Sequence, residues 1–194
     1  MGTRHLINVV YDGKLVISQY GQWDGYPTGQ GVDVCNFIRS GDYTRLKVKA
    51  ERGELKFLSH KDAETLNKIL FPHHQEKKKG KAKTVELPDA VKDSLRTILD
   101  ESHFSRDRGA EILKMAARAL FEFYTIDSSD FEEGGIFRCE YVHLLNLDKD
   151  TYTIYVPSTT KSRTYRVSTI QKWGDRKVYN EMDRLEKGWR NKEE

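Results

Sequence analysis

Residues 5–18 read His-Leu-Ile-Asn-Val-Val-Tyr-Asp-Gly-Lys-Leu-Val-Ile-Ser, two runs rich in β-branched residues on either side of Asp12-Gly13. Asp-Gly readily adopts the two positive φ angles of a type I′ turn, so this stretch predicts a β-hairpin. Apolar residues follow one another without strict alternation, which indicates burial on both faces. We therefore expect the hairpin to be central in a sheet and not at its edge.

The final third of the chain predicts a second group of strands. Residues 137–147 and 151–156 flank the polar turn at 148–150, which is typical of a hairpin, and residues 165–170 predict a further strand. Strands at both ends with helices between them indicate an α+β fold, with N-terminal and C-terminal β-hairpins around a central helical segment.

Apolar residues at helical spacing predict the helices. The predicted helices span 32–39, 59–70 and 107–124, and a further helix begins at Pro88. An amphipathic C-terminal helix is predicted at 175–194. Residues 42–58 fit either a helix or a second hairpin, and we favour the helix. The helix at 107–124 is expected to be the central one because its apolar face is wide, comprising Ile112, Leu113, Ala116, Ala117, Leu120, Phe121 and Tyr124.

Length and charge limit the class of protein. The 194 residues predict a single domain over 1–194, and 33 Lys+Arg against 30 Asp+Glu leave a net charge of +3. That balance provides no global basic field of the kind that favours nucleic acid. Residues 73–84 are predicted to form a mobile basic loop. With no long apolar stretch, no signal-peptide pattern and two widely spaced cysteines, we expect a cytoplasmic protein that does not enter a membrane.

The stretch 20–31 is the strongest candidate for a functional site. Four glycines, a proline and three aromatic residues among twelve positions make a helix or strand unfavourable here and predict an irregular loop. Trp23 and Tyr26 can stack on a ligand, while Gln22 and Asp24 can read its polar groups. If Thr28 opens the following helix, its free N–H groups suit an anion.

Basic side chains elsewhere extend this hypothesis. Arg4 and His5 at the start of the first strand are predicted to border the pocket. Arg4, together with Arg106 before the long helix, can pair with an anionic group. The opposing interpretation is a structural loop whose aromatic residues fill the core. The predicted ligand-binding residues are Arg4, Gln22, Trp23, Asp24, Tyr26, Gln30 and Arg106.

Other histidine, lysine and cysteine patterns give weaker support to a functional site. The pair at 73–74, two histidines, is more typical of a solvated loop than of a metal site, and the lysines at 77–83 lack neighbouring aromatic residues for nucleic-acid recognition. Cys139 and His143 are expected on one face of a strand, where a buried structural cysteine is the ordinary outcome. We expect no metal and no cofactor.

Several blocks resemble a family of uncharacterised proteins found in bacteria, phages and fungi. They are Met-Gly-Thr-Arg at 1–4, Tyr-Gly-Gln-Trp-Asp-Gly-Tyr-Pro at 20–27 with Gly-Gln-Gly at 29–31, Arg-Asp-Arg-Gly-Ala-Glu-Ile-Leu at 106–113, and Cys-Glu-Tyr at 139–141 leading into 147–151. The resemblance implies one folding unit and an important first block, but no reaction. The element order is also similar to the αββα sandwich of Ntn hydrolases, whose catalytic residue begins the N-terminal hairpin.

These observations favour a small soluble protein with a pocket for a polar or anionic small molecule, nucleotide-like or amide, around the 20–31 loop. Binding is the prediction, and whether a reaction is catalysed is left open. One alternative is a phage-type accessory or anti-defence protein that binds a host protein, for which the amphipathic terminal helix with Trp189 offers a surface. Another is an Ntn-type amide hydrolase, which requires processing to Thr3. A homodimer is also left open.

Overall fold

The computed structural model describes residues 2–59, 61–62, 108–132, 139–157 and 159–190. The backbone divides into two compact units, residues 1–57 with 106–194, and residues 58–105. This division does not decide whether 1–194 is a single domain, which stays a prediction. The basic loop predicted at 73–84, the helix opened by Pro88 and the site residue Arg106 lie outside the described residues. In the second unit, the hydroxyl of Ser59 accepts a hydrogen bond from the N–H of Asp62, as a helix start at Ser59 requires.

Five strands of the first unit form one mixed sheet in the order β2-β1-β5-β6-β7. The strands are β1 (His5–Tyr11), β2 (Lys14–Gly21), β5 (Tyr141–Asn146), β6 (Thr151–Tyr155) and β7 (Ser162–Arg166). β1 and β5 are parallel and the other neighbours are antiparallel. Two short strands, β3 (Leu55–Phe57) and β4 (Phe123–Thr125), pair in parallel in a second sheet. The α+β prediction is therefore confirmed, whereas the Ntn-like sandwich is not.

The N-terminal hairpin forms as predicted, but only one of its strands is central. Asp12 and Gly13 have φ angles of 51° and 67°, as a type I′ turn requires. β1 lies inside the sheet between β2 and β5, while β2 is an edge strand. One carbonyl group of this edge is occupied, because the N–H of Ser128 donates to the carbonyl oxygen of Ser18 at 3.2 Å. The apolar side chains of β2 are buried by packing on both faces of the sheet, where Ile17 and Tyr20 belong to two different core clusters.

The helices of the first unit are α1 (Val32–Arg39), α2 (Asp42–Glu51), α3 (Glu111–Arg118), α4 (Val167–Ile170) and α5 (Asp175–Arg190). α2 confirms the helical alternative for residues 42–51, and β3 occupies three of the seven residues that remain in that stretch. A five-residue π-helical turn, Pro27–Gly31, precedes α1. The expectation that neither helix nor strand forms within 20–31 was therefore wrong for its first two residues, which belong to β2, and for its last five.

The long helix predicted at 107–124 is wrong in its last third. α3 ends at Arg118, and the chain then turns into β4. Leu120, Phe121 and Tyr124, which were expected on the buried face, are 90%, 81% and 37% exposed. The buried face of α3 consists of the other four residues of the pattern, Ile112, Leu113, Ala116 and Ala117. Apolar spacing alone does not show where a helix stops, and the ladder between β3 and β4 decided it here.

The last strand was predicted too late in the chain. β7 runs from Ser162 to Arg166, and residues 167–170, expected to be extended, form α4. The C-terminal helix is confirmed as far as Arg190. Its apolar face is covered, because Val178 and Met182 are fully buried and Leu185 and Trp189 pack against the same core.

The main core lies between one face of the sheet and the helices. It joins strand residues such as Ile7, Leu145 and Ile154 with helix residues such as Ile38 and Leu113. The opposite face carries a smaller cluster formed by Leu6, Tyr20, Cys139 and Val142, with Tyr155 packed beside it. Burial on both faces of β1 explains why apolar residues occupy successive positions, Leu6 and Ile7, on either side of the sheet. Among the described helices, none has the length and apolar character needed to cross a membrane.

Candidate functional site

The loop after β2 closes over a buried histidine. A Cβ atom added at Gly21 would lie 2.3 Å from the His5 ring, so only glycine lets the backbone approach this closely. The N–H of Gly25 donates to the carbonyl oxygen of Thr3 at 3.1 Å, which ties the loop to the segment just before β1. Thr3, the proposed nucleophile of the hydrolase alternative, is itself only 5% exposed.

His143 on β5 also contacts this loop. Its Nε2 atom lies 2.8 Å from the carbonyl oxygen of Gly25, and its Nδ1 atom lies 2.8 Å from the hydroxyl of Tyr152. Burial lowers the pKa of His143 to about 3, with the neighbouring His5 acting in the same direction. His143 is therefore neutral at physiological pH.

His5 meets His143 edge to face, with ring centroids 6.1 Å apart. Neither ring nitrogen of His5 has a hydrogen-bond partner among the described residues, although the side chain is only 1% exposed. Burial lowers its pKa to about 4, while the Thr3 backbone and the Asp24 carboxylate act in the opposite direction. The sequence analysis included His5 in the predicted pocket, from its place at the start of the hairpin, but did not select His143 for it.

Three of the predicted site residues form an exposed surface on the loop. Gln22, Trp23 and Asp24 are all exposed, and 53% of Trp23 is open to solvent. The Trp23 ring lies directly against Gly2. Asp24 adopts a φ of 54°, and its carbonyl oxygen accepts a hydrogen bond from the N–H of Gln30 at 2.9 Å. The backbone thus holds these side chains outward instead of placing them in the core.

Tyr26 and Gln30 have structural contacts. Tyr26 meets the ring of Tyr141 edge to face, and Tyr141 stacks on Trp189 at 6.2 Å, so all three belong to one aromatic cluster. The side-chain oxygen of Gln30 accepts a hydrogen bond from the N–H of Ala110 at 2.6 Å. Gln30 therefore connects the loop to the start of α3.

Arg4 is directed away from the loop surface. Its Nε atom lies 3.7 Å from a carboxylate oxygen of Glu140, and its charge acts on Cys139, which packs on the opposite face of the sheet from His5. Arg4 immediately precedes β1, and its backbone N–H also donates to the Glu140 carboxylate at 3.4 Å. The contacts described for Arg4 are thus with Glu140, just before β5.

The predicted anion site at the start of the helix holds one of the protein's own carboxylates. The N–H and the hydroxyl of Thr28 both donate to Glu186 on α5, which is only 7% exposed. Arg190 pairs with the other oxygen of that carboxylate. A helical N-terminus attracts negative charge, as expected, but here the charge is internal.

A cleft of about 410 Å³ opens beside the loop, between α1 and α3. Its polar lining comes from two helical stripes with the same spacing, Asp33, Asn36 and Ser40 from the α1 side, and Glu111, Lys114 and Arg118 on α3. Phe37 and Ala110 contribute apolar surface, and Asp42 of α2 completes the wall. The volume falls within the range of small-molecule sites, roughly 300–1,000 Å³.

The loop and the cleft are connected by one hydrogen bond and by one electrostatic interaction. Gln30 hydrogen-bonds the backbone of Ala110, which lines the cleft. The Asp24 carboxylate contributes, after burial, to raising the pKa of Asp33, another lining residue. The sequence analysis missed the cleft. The repeated i, i+3, i+7 spacing of its polar residues, opposite the apolar faces of both helices, was the pattern that pointed to it.

Thiol chemistry receives no support from the cysteines. Cys139 packs on Val142, whereas His143 faces the loop from the other side of the sheet, so the expectation that they share a face was wrong. β5 begins only at Tyr141, which leaves Cys139 outside the strand periodicity. Burial raises the pKa of Cys139 to about 12, far from a reactive thiolate. No group of three potential metal ligands occurs in the described part of the chain.

Comparison of the chain with known protein families, with curated proteins and with solved structures finds no significant match.

Proposed function

We propose that the protein binds a small polar molecule in the cleft between α1 and α3, with the exposed Gln22–Asp24 surface of the neighbouring loop at its rim. The proposal concerns binding and requires no catalytic step. It keeps the loop in the site but moves the centre of binding to the cleft, because ligand sites in proteins are concave.

The observation that carries this proposal is a cleft of ligand size bordered by polar side chains and connected to the loop through Gln30 and Ala110. Its floor contains Phe37, which is nearly buried, so part of a ligand would leave water on binding. Trp23, half exposed and supported by Gly2, offers a flat surface for a heterocycle such as a nucleobase.

The charges favour a polar ligand over a purely anionic one. Arg4 pairs with Glu140, and the Thr28 N–H donates to Glu186. Two of the groups that were predicted to contact an anionic ligand therefore already have carboxylate partners within the protein. Asp24 and Asp33 add negative charge on the loop side of the cleft. A ligand that presents hydrogen-bond donors or a cation to this side is complementary to it.

Binding of a host protein is the second candidate function, and we place its binding surface at Leu120 and Phe121 instead of on α5. Trp189 is partly buried on the core and stacked on Tyr141, so α5 offers less apolar surface than its sequence suggested. Leu120 and Phe121, which are neighbours in the chain, are more exposed than any apolar side chain of α5 that the structure describes. Replacing both with serine would reduce capture of such a partner while leaving binding in the cleft unchanged.

The experiment is a titration of the full chain with polar fragments, including adenosine and N-acetylglycinamide, followed by backbone amide NMR. We expect at least one fragment to shift amides of residues 33–40 and 110–118. The variant Asn36→Trp, which fills the cleft from an exposed lining position, should abolish those shifts, and Glu51→Trp on the exposed side of α2 should not. Shifts that survive Asn36→Trp, or no shifts at these residues with any fragment, would refute the proposal.

The rim is tested separately. Trp23→Ala should weaken binding of adenosine while the melting temperature hardly changes, since half of the ring is already in water. A large loss of stability would instead identify Trp23 as a structural residue.

A further inference from the structure

Some of the charged side chains that line the cleft form ion pairs, and others do not. Asp42 pairs with Arg118 at 2.8 Å and with Arg45 at 3.4 Å, and Glu111 pairs with Arg108 at 3.0 Å. Within the described residues, the two charged lining side chains that form no ion pair are Asp33 on α1 and Lys114 on α3. They have opposite charges and yet are not paired with each other.

Asp33 is exposed on the cleft wall and pairs with no cationic side chain among the described residues. Partial burial of its carboxyl group raises the pKa of Asp33, and the nearby Asp24 carboxylate raises it further. A cationic group placed beside Asp33 would oppose both effects, because it would stabilise the charged carboxylate and offset the repulsion from Asp24. The loop side of the cleft is therefore complementary to an ammonium or similar cation.

Lys114 lies on the facing helix. Its charge contributes to lowering the pKa of Asp42, but that carboxylate already has Arg118 and Arg45 as partners. The Lys114 ammonium group is exposed and makes no hydrogen bond among the residues the structure describes. It can thus pair with a carboxylate or another oxyanion entering the cleft.

We propose that the cleft selects a dipolar molecule, with its cationic end at Asp33 and its anionic end at Lys114. This inference rests on the proposed function and specifies the ligand class. The apolar surface of Phe37 and Ala110 on the cleft wall suits an aliphatic spacer between the two charges. The chemistry required is that of an amino acid or a short ω-amino acid.

The experiment compares compounds that differ only in charge. The probes are 4-aminobutyrate, 5-aminopentanoate and 6-aminohexanoate, with pentylamine, pentanoate and pentan-1-ol as matched controls of one spacer length. Amide NMR titrations of the full chain at low salt give each dissociation constant. We expect at least one dipolar compound to bind about tenfold more tightly than the compounds with a single charge or none, as one charge-assisted contact predicts.

Charge-neutralising variants test which end of the dipolar ligand binds at Asp33 and which at Lys114. Asp33→Asn should reduce the advantage of the dipolar probe over pentanoate, and Lys114→Gln should reduce its advantage over pentylamine. Glu51→Gln and Lys172→Gln, exposed and outside the cleft, are the matched controls and should change neither ratio. The exchange Asp33→Lys with Lys114→Glu should restore binding of the dipolar probe in reversed orientation.

Two outcomes would overturn the inference in different ways. If the six probes bind the cleft equally, the cleft is a ligand site without charge selection, and the proposed function survives. If none of the probes shifts residues 33–40 or 110–118, the dipolar class is excluded, and the broader proposal is then judged by the polar fragments and the Asn36→Trp variant.

Discussion

The Nε2 atom of His143 lies 2.8 Å from the carbonyl oxygen of Gly25, so a buried strand residue holds the backbone of the exposed loop. A carbonyl oxygen only accepts hydrogen bonds, so Nε2 carries the proton, and Nδ1 accepts from the hydroxyl of Tyr152. Protonation of Nδ1 would force the Tyr152 hydroxyl to accept instead of donate and would place a positive charge in a fully buried site. The closed loop therefore depends on a neutral His143, with a second neutral histidine, His5, packed against it.

Acidification should destabilise the protein well above the pH at which carboxylates titrate. The pKa of His5 is about 4 when folded, against 6.5 for an exposed histidine, and that of His143 is about 3. The unfolded chain therefore binds more protons below pH 6.5, so stability is present above this pH and is lost as the pH falls toward 4. Between pH 7.5 and 5.0 each histidine should remove about 2 kcal/mol from the free energy of unfolding, as measured by urea denaturation.

The variant His5→Leu provides the control for this pH effect. It removes one titrating group while keeping an apolar side chain of similar size, so the difference in unfolding free energy between pH 7.5 and 5.0 should shrink by about half. An undiminished difference would mean that other groups cause the acid sensitivity. NMR of His143 should report the Nε2–H tautomer across this pH range.

Gly21→Ala should destabilise the folded state by about 1–3 kcal/mol, the usual cost of overpacking a core. The new methyl group would lie 2.3 Å from the His5 ring, and the ring is enclosed. Adding His5→Ala should make the double variant less unstable than the sum of the two single changes. Gly188→Ala, in open space within α5, should instead stabilise the protein by about 1 kcal/mol. Thermal unfolding measures all four.

Glu186→Gln should cost about 1–3 kcal/mol of stability, because a buried carboxylate loses its charge beside Arg190 and the Thr28 donors. Asp183→Asn breaks the exposed pair with Lys187 on the same helix and should cost less than about 0.5 kcal/mol. Equal effects of the two substitutions would show that Glu186 does not fix the π-helical turn to α5. Chemical denaturation at pH 7.5 separates them.

Leu120→Ala should change the free energy of unfolding by less than about 0.5 kcal/mol, as expected for an exposed side chain. Leu113→Ala, seven positions earlier in the same apolar pattern, should cost about 2–5 kcal/mol because its side chain is fully buried. A comparable cost at both positions would support the longer helix expected from spacing. Urea denaturation of both variants provides the comparison.

Elements defined by neighbours in the chain were predictable. The hairpin of β1 and β2 follows from Asp12-Gly13 between two β-branched runs, and α1 and the described part of α5 follow from apolar spacing, because turn angles and helical periodicity are local properties. The exposed loop residues Trp23 and Asp24 were identified for the same reason, since four glycines in twelve residues exclude a regular strand through the whole stretch.

The site itself depended on contacts between distant residues. Nothing near Thr28 in the sequence indicates that Glu186, 158 positions later, occupies its donors. The cleft exists only because α1 and α3 come together, and the end of α3 at Arg118 follows from pairing of β4 with β3. Local turn chemistry and periodicity determined the elements of this protein, whereas long-range packing decided which polar groups are satisfied internally and which, such as Asp33 and Lys114, form no ion pair among the described residues.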